Sequence, residues 1–103
     1  MRKVAVVTGA FGGIGYATLK ALEELDYAVV ALSRSADLAE NQQRLASLGG
    51  YHKLAMACDI TRTDQLIVAR DRVQQEFGSV DVLVNSAGWS RPVLHRHVQA
   101  LDD

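Results

Sequence analysis

Short apolar runs alternate with segments of helical periodicity along most of the chain. Val4 to Val7 is a continuous β-branched run that ends in Thr8 and a glycine, the pattern of a strand buried on both faces. From Gly13 to Leu25 the small and apolar residues Ile14, Ala17, Ala21, Leu22 and Leu25 recur at helical spacing, so the opening unit reads strand, glycine turn, helix. Asp26 stands where a glycine would ordinarily stop that helix, and aspartate is among the few residues that tolerate a left-handed backbone. Tyr27 to Leu32 then predicts the second strand. Ser35 is placed to cap a second helix with Asp37 in its first turn and Leu38, Leu45 and Leu48 along its apolar stripe, stopping at Gly49-Gly50. His52 to Cys58 predicts a third strand. Thr61 or Thr63 opens a third helix with Leu66, Ile67, Val73 and Phe77 turned inward, Gly78 ends it, and Val80 to Val84 predicts the fourth strand. From Trp89 to Asp103 the periodicity is lost. Arg91-Pro92 is loop chemistry there, and Leu101-Asp102-Asp103 has the form of a helix start.

Strands separated by helices of this length pair in parallel, which gives an α/β fold with helices on both faces of the sheet. Right-handed crossovers favour a doubly wound parallel sheet of strand order 3-2-1-4. No internal repeat or low-complexity linker interrupts it.

Composition narrows the class. The 103 residues are 49% hydrophobic and 22% charged with a formal charge of −1, which removes collagen, coiled coil, bulk disorder and the electrostatic footprint of a general nucleic-acid binder. A lone Cys58 closes no intrachain disulfide and makes no Cys-rich zinc site, so a cytoplasmic location is the default expectation. The apolar run after Met1-Arg2-Lys3 is too short for a signal peptide, and no stretch approaches the length of a membrane span.

The densest chemical signal is Thr8-Gly9-Ala10-Phe11-Gly12-Gly13-Ile14-Gly15, which holds four of the chain's eight glycines. It follows a strand and opens a helix. In that context glycine lets the backbone turn sharply and approach a ligand, and the helix start offers free N–H groups to a pyrophosphate. A surface turn that binds nothing is the plain alternative. No Gly-Lys-Ser/Thr ending is present, so a nucleoside triphosphatase is not indicated.

These residues resemble the cofactor loop of the short-chain dehydrogenase/reductases, Thr-Gly-x-x-x-Gly-Ile-Gly. Two further segments fall in register with that family. Cys58-Asp59-Ile60 resembles the acidic segment after the third strand, which in the family contacts adenine, and Asn85-Ser86-Ala87-Gly88 resembles the Asn-Asn-Ala-Gly segment after the fourth strand. The resemblance implies a Rossmann-like fold and a dinucleotide cofactor held by Gly9, Phe11, Gly12, Gly13, Ile14 and Gly15, by Asp59 and Ile60, and by Asn85, Ala87 and Gly88. It covers the whole chain, most securely through Gly88, and corresponds to the amino-terminal part of a family member. Residues 1–103 therefore read as an incomplete NAD(P)-binding domain, with 89–103 a loop leading to a helix and the sheet stopping before its fifth strand.

At the end of the second strand an acid would accept a hydrogen bond from the adenosine ribose, whereas an arginine accommodates a 2′-phosphate. Ser33-Arg34-Ser35 stands there, a guanidinium between two hydroxyls, and favours NADP(H) over NAD(H). NADP-preferring relatives often carry a second basic residue just before the middle glycine, where this chain has Gly12. Asp37 is better read as a helix-start residue than as a ribose acceptor, and a solvated loop cation is the plain alternative for Arg34.

Family members transfer a hydride using a Ser, a Tyr-x-x-x-Lys pair and an Asn that all lie further along, so no catalytic residue is assigned here. Tyr16-Ala17-Thr18-Leu19-Lys20 has the right spacing in the wrong place, and reads as part of a helix face. His95 and His97 read as solvated loop residues, Cys58 as a small buried hydrophobe and Asp102-Asp103 as helix-start charges. The expectation is the cofactor-binding portion of an NADP(H)-dependent oxidoreductase acting on a small carbonyl or alcohol in a full-length form. The alternative is a catalytically inactive nucleotide-binding fragment or truncated gene product. No nucleic-acid or membrane partner is expected, the usual homo-oligomer interface is expected to be missing, and an apolar fourth strand without an outer neighbour invites association.

Overall fold

The computed structural model describes residues 3–49 and 52–86. Their elements run β1 (Val4–Thr8), α1 (Gly13–Glu24), β2 (Ala28–Ser33), α2 (Ala39–Ala46), β3 (Lys53–Ala57), α3 (Thr63–Phe77) and β4 (Val82–Asn85). The four strands form one sheet of order β3-β2-β1-β4, and all three pairings are parallel, as the hydrophobic pattern predicts. Thr8 is in register with Leu32 on one side and Asn85 on the other, while Ser33 pairs with Ala57. That register collects the carboxyl ends of all four strands at one edge of the sheet.

Alternation along the strands supplies two cores. Val7, Val29 and Ala31 pack with Leu19 of α1 and Leu45 of α2 on one face. Val4, Val6, Val30 and Leu32 pack with Ala69 and Val73 of α3 on the other. Every residue of β1 is buried, because both faces and both edges of that strand are covered. At its start, Asp81 N–H donates to the Val4 carbonyl and Val4 N–H donates to Asp81 Oδ2, each at 2.8 Å. The Asp81 carboxylate takes the Val4 N–H that a longer β4 would bond with a backbone carbonyl, and β4 begins at Val82 and not at Val80.

Several local readings shift. The face of α1 that meets the sheet carries Gly15 and Leu19, while Ile14 is 77% and Leu25 70% exposed. Gly15 lies against the Gly9 carbonyl, which fixes the helix rotation, and Ile14, about 100° away around the axis, must then point outward. Asp26 does adopt a positive φ of 70° after α1. Ser35 does not cap α2. The chain first makes two tight turns, Ala36 N–H to Ser33 C=O and Leu38 N–H to Ser35 C=O, so α2 begins at Ala39 with Leu38 as its N-cap and Asp37 outside the helix. In α3, Ala69 and Val73 are buried and Ile67 is exposed, while Leu66 shares the stripe of Ala69 and Val73 but is left 38% exposed. Leu66 lines an open apolar groove of about 290 Å³ with Val6, Val73, Val80 and Leu83.

Candidate functional site

The turn from β1 into α1 lies at the carboxyl edge of the sheet. Gly9 holds a φ of 59°, and Gly12 N–H closes the turn onto the Gly9 carbonyl at 3.1 Å. The first hydrogen bond of the helix runs from Tyr16 N–H to Gly12 C=O at 2.8 Å, and the N–H groups of Gly13, Ile14 and Gly15, the donors a helix start leaves over, have no backbone partner among the described residues. A Cβ on Gly15 would stand 2.0 Å from the Gly9 oxygen and 2.8 Å from Ser86 Oγ, so that glycine is required by packing. Gly13 differs. A Cβ there would meet nothing within 4 Å, and its φ lies outside the left-handed range. Among the described residues no packing contact requires glycine at 13.

Two side chains fasten β4 to this turn. Thr8 Oγ1 donates to Asn85 Oδ1 at 2.8 Å, and Ser86 Oγ donates to the Thr8 carbonyl. Asn85 therefore lies against β1 at the carboxyl edge. Ala87 and Gly88 lie outside the described residues, as do His95, His97, Asp102 and Asp103.

Beyond β2, Ser33 and Ser35 hold their hydroxyls 3.0 Å apart and Ser35 N–H donates to Ser33 Oγ at 3.2 Å. Arg34 between them is exposed and makes no ion pair among the described residues, but it lies near enough to Asp59 to act on its charge. The Asp59 carboxyl is held below the usual carboxylate range, first by the Thr61 hydroxyl at 2.6 Å and then by the Thr61 N–H, with Arg34 and Arg62 adding smaller pulls against slight desolvation. Asp59 N–H donates to Gln65 Oε1 at 2.7 Å, which fixes the backbone before Ile60. The glycine turn, the Ser33–Ser35 segment, the Asp59 segment and Asn85 thus share one edge of the sheet.

Sequence reasoning missed Arg44. This residue of α2 stacks its guanidinium 4.1 Å from the Tyr16 ring centroid and 5.6 Å from that of Phe11. Its Nη1 donates to the Phe11 carbonyl at 3.0 Å and to Asn41 Oδ1 at 3.1 Å. Buried Asn41 in turn donates to the Ser35 carbonyl at 2.8 Å and to Ser35 Oγ at 3.1 Å. Nothing in the local pattern marks Arg44, because the contact spans 33 residues of chain.

The Tyr16 hydroxyl donates to the Arg44 carbonyl at 3.1 Å, tying α1 to α2, and Lys20 is exposed. The Tyr16 hydroxyl is engaged in a helix contact. Cys58 is buried in the α3-side core, and desolvation followed by the neighbouring Asp59 charge pushes its thiol pKa up, the opposite of an activated nucleophile. Among the described residues no cluster of His, Cys, Asp or Glu could hold a metal ion, and no helix is long and apolar enough to cross a membrane.

The model of the short chain dehydrogenase family matches residues 3–102. The chain is 41% identical over 95 residues to a cis-4-hydroxycyclohexanecarboxylate dehydrogenase of Sinomonas cyclohexanicum, covering 92% of this chain and 38% of that protein. It is 36% identical over 94 residues to carbonyl reductase family member 4 of Xenopus laevis, covering 91% of this chain and again 38% of the relative. A crystal structure of NAD+-bound xylitol dehydrogenase superposes with a TM-score of 0.75 at 36% identity, covering 84% of this chain and 34% of that one. The chain thus spans under two-fifths of the length of these relatives.

Proposed function

The chain belongs to the short-chain dehydrogenase family, and from that premise we propose that it is the cofactor-binding portion of an NADP(H)-dependent oxidoreductase acting on a small carbonyl or alcohol. The observation that carries this reading is Gly13, exposed and, among the described residues, free of steric neighbours beside three helix-start N–H groups without a partner. Those donors suit a pyrophosphate, through hydrogen bonds and the positive end of the α1 dipole. Gly9, Gly12 and Gly15 shape the turn, and Phe11 and Ile14 flank it. By the family resemblance Asp59 and Ile60 border the adenine, and the segment that begins at Asn85 borders the cofactor ribose. When bound, the nicotinamide supplies or accepts the hydride.

Preference for the phosphorylated cofactor rests on the end of β2. No acid stands at the strand tip to accept from a ribose hydroxyl, while Arg34 is exposed between Ser33 and Ser35, whose hydroxyls are already linked. A cation flanked by two hydroxyls complements a phosphate. Calorimetric titration of the chain with NADPH and NADH tests both parts. The expected result is tighter NADPH binding, with Arg34→Ala weakening NADPH by roughly ten- to a hundredfold, the size of a charge-assisted hydrogen bond, and leaving NADH nearly unchanged. Equal loss for both cofactors would remove the phosphate reading, and no binding of either would remove the dinucleotide reading.

Binding without turnover is the second reading for these 103 residues. The single Tyr-x-x-x-Lys among the described residues, Tyr16 to Lys20, spends its hydroxyl on the Arg44 carbonyl. Cofactor bound by the chain alone is expected to stay unoxidised when a carbonyl substrate is added.

A further inference from the structure

We propose that Arg44 is a specificity-determining residue, a second cation beside Arg34 that α2 delivers to the adenosine-phosphate end of the cofactor site. The inference rests on the NADP(H) reading above and names how the preference is built. Arg44 is half-buried at the glycine turn, yet no carboxylate lies within ion-pair distance of it among the described residues. Only Nη1 is engaged, by the carbonyl of Phe11 and by Asn41 Oδ1; Nε and Nη2 make no hydrogen bond among the described residues. A half-buried guanidinium with unused donors and no counter-charge is an anion site in waiting, since the surroundings that hold it also weaken solvent screening.

Its position joins the two segments that would flank the phosphate. On one side it grips Phe11, the residue before Gly12, which itself contributes no side chain. On the other, Asn41 passes the contact to Ser35, next to Arg34. The Tyr16 ring beneath the guanidinium keeps it at this level by a cation–π contact at 4.1 Å. The line Phe11, Arg44, Asn41, Ser35, Ser33 is thus continuous in hydrogen bonds, and its one cation lies between the pyrophosphate turn and the end of β2.

The test is the ratio of NADPH to NADH affinity in the unaltered chain, in Arg44→Gln and in Arg44→Lys, with a thermal melt of each. Arg44→Gln keeps an amide donor for the Phe11 carbonyl and removes the charge. It is expected to lower NADPH affinity roughly five- to tenfold while changing NADH less than about twofold, the scale of one partly screened charge pair. Arg44→Lys keeps the charge and is expected to retain most of the preference, whatever it loses in melting temperature. If Arg44→Gln weakens both cofactors equally, or neither, or if Arg44→Lys loses the preference as completely as Gln does, the proposal is overturned. An unaltered chain that binds both cofactors equally would instead fail the NADP(H) reading, before any variant is compared.

Discussion

Replacing Gly15 by alanine and Gly13 by alanine adds the same methyl group two residues apart, and the structure assigns the two changes opposite consequences. At Gly15 the new Cβ would stand 2.0 Å from the Gly9 oxygen, 2.8 Å from the Gly9 carbonyl carbon and 2.8 Å from Ser86 Oγ. Two of those atoms are backbone and cannot rotate away. The α1 start must retreat from β1 by roughly 1 Å or more to reach ordinary contact, which strains the bond from Ser86 to the Thr8 carbonyl and the Gly12 to Gly9 turn. Overpacking of this kind costs about 3 kcal/mol, which in a chain of this size lowers the melting temperature by roughly 12 to 24 °C. At Gly13 the Cβ meets nothing. Stability is expected to hold or to rise by up to about 1 kcal/mol, because alanine loses less backbone freedom on folding. NADPH and NADH affinity is nevertheless expected to fall at least roughly tenfold, since the methyl occupies the space through which a pyrophosphate reaches the helix-start N–H groups. Circular-dichroism melts and calorimetric titrations of the two variants separate the roles. A Gly15→Ala chain that melts within a degree or two of the original, or a Gly13→Ala chain that binds dinucleotide as the original does, refutes the reasoning.

Tyr16→Phe keeps the ring under Arg44 and removes one hydrogen bond to the Arg44 carbonyl. It should lower stability by about 1 kcal/mol with NADPH affinity unchanged, and a large loss of affinity in the titration would return Tyr16 to the functional site. Thr61→Ala removes the hydroxyl that does most to hold the Asp59 carboxyl below its ordinary value of 3.8. Because the folded value is lowered, the ionised carboxylate steadies the Asp59–Thr61 turn at any pH above 3.8, and that contribution fades as pH falls through the folded value. Carbon-detected titration of the Asp59 carboxyl should show its midpoint rising toward 3.8 in the variant, and an unmoved midpoint would show that Thr61 is not the cause.

The succession of strands and helices, their parallel pairing and the glycine turn were legible from the chain itself. Each depends on short-range signals: β-branched runs, helical spacing and the left-handed tolerance of Asp26, which the structure places at a φ of 70°. Element limits were less legible wherever a distant partner intervened. Val80 extends the apolar pattern of Val82 to Val84, but the Asp81 carboxylate takes the Val4 N–H and β4 begins only at Val82. Ser35 has the chemistry of a helix cap, but Ser33 and Asn41 already engage its hydroxyl. The spacing of Ile14, Ala17, Ala21, Leu22 and Leu25 marks α1 as a helix without saying which residue makes closest contact with the sheet. The approach of Gly15 to Gly9 decides that, and turns Ile14 outward.

Sequence alone therefore determined a parallel sheet of order 3-2-1-4 with a glycine turn at its carboxyl edge, because hydrophobic period, chain length between strands and crossover handedness leave little else open. Tertiary structure decided which groups stand around that turn. Ser86 reaches Thr8 across 78 residues and Arg44 reaches Phe11 across 33, distances along the chain over which no local pattern carries information. Such contacts are set by how closely α1 approaches β1 and how α2 then lies against α1, and those separations are fixed only when the side chains pack.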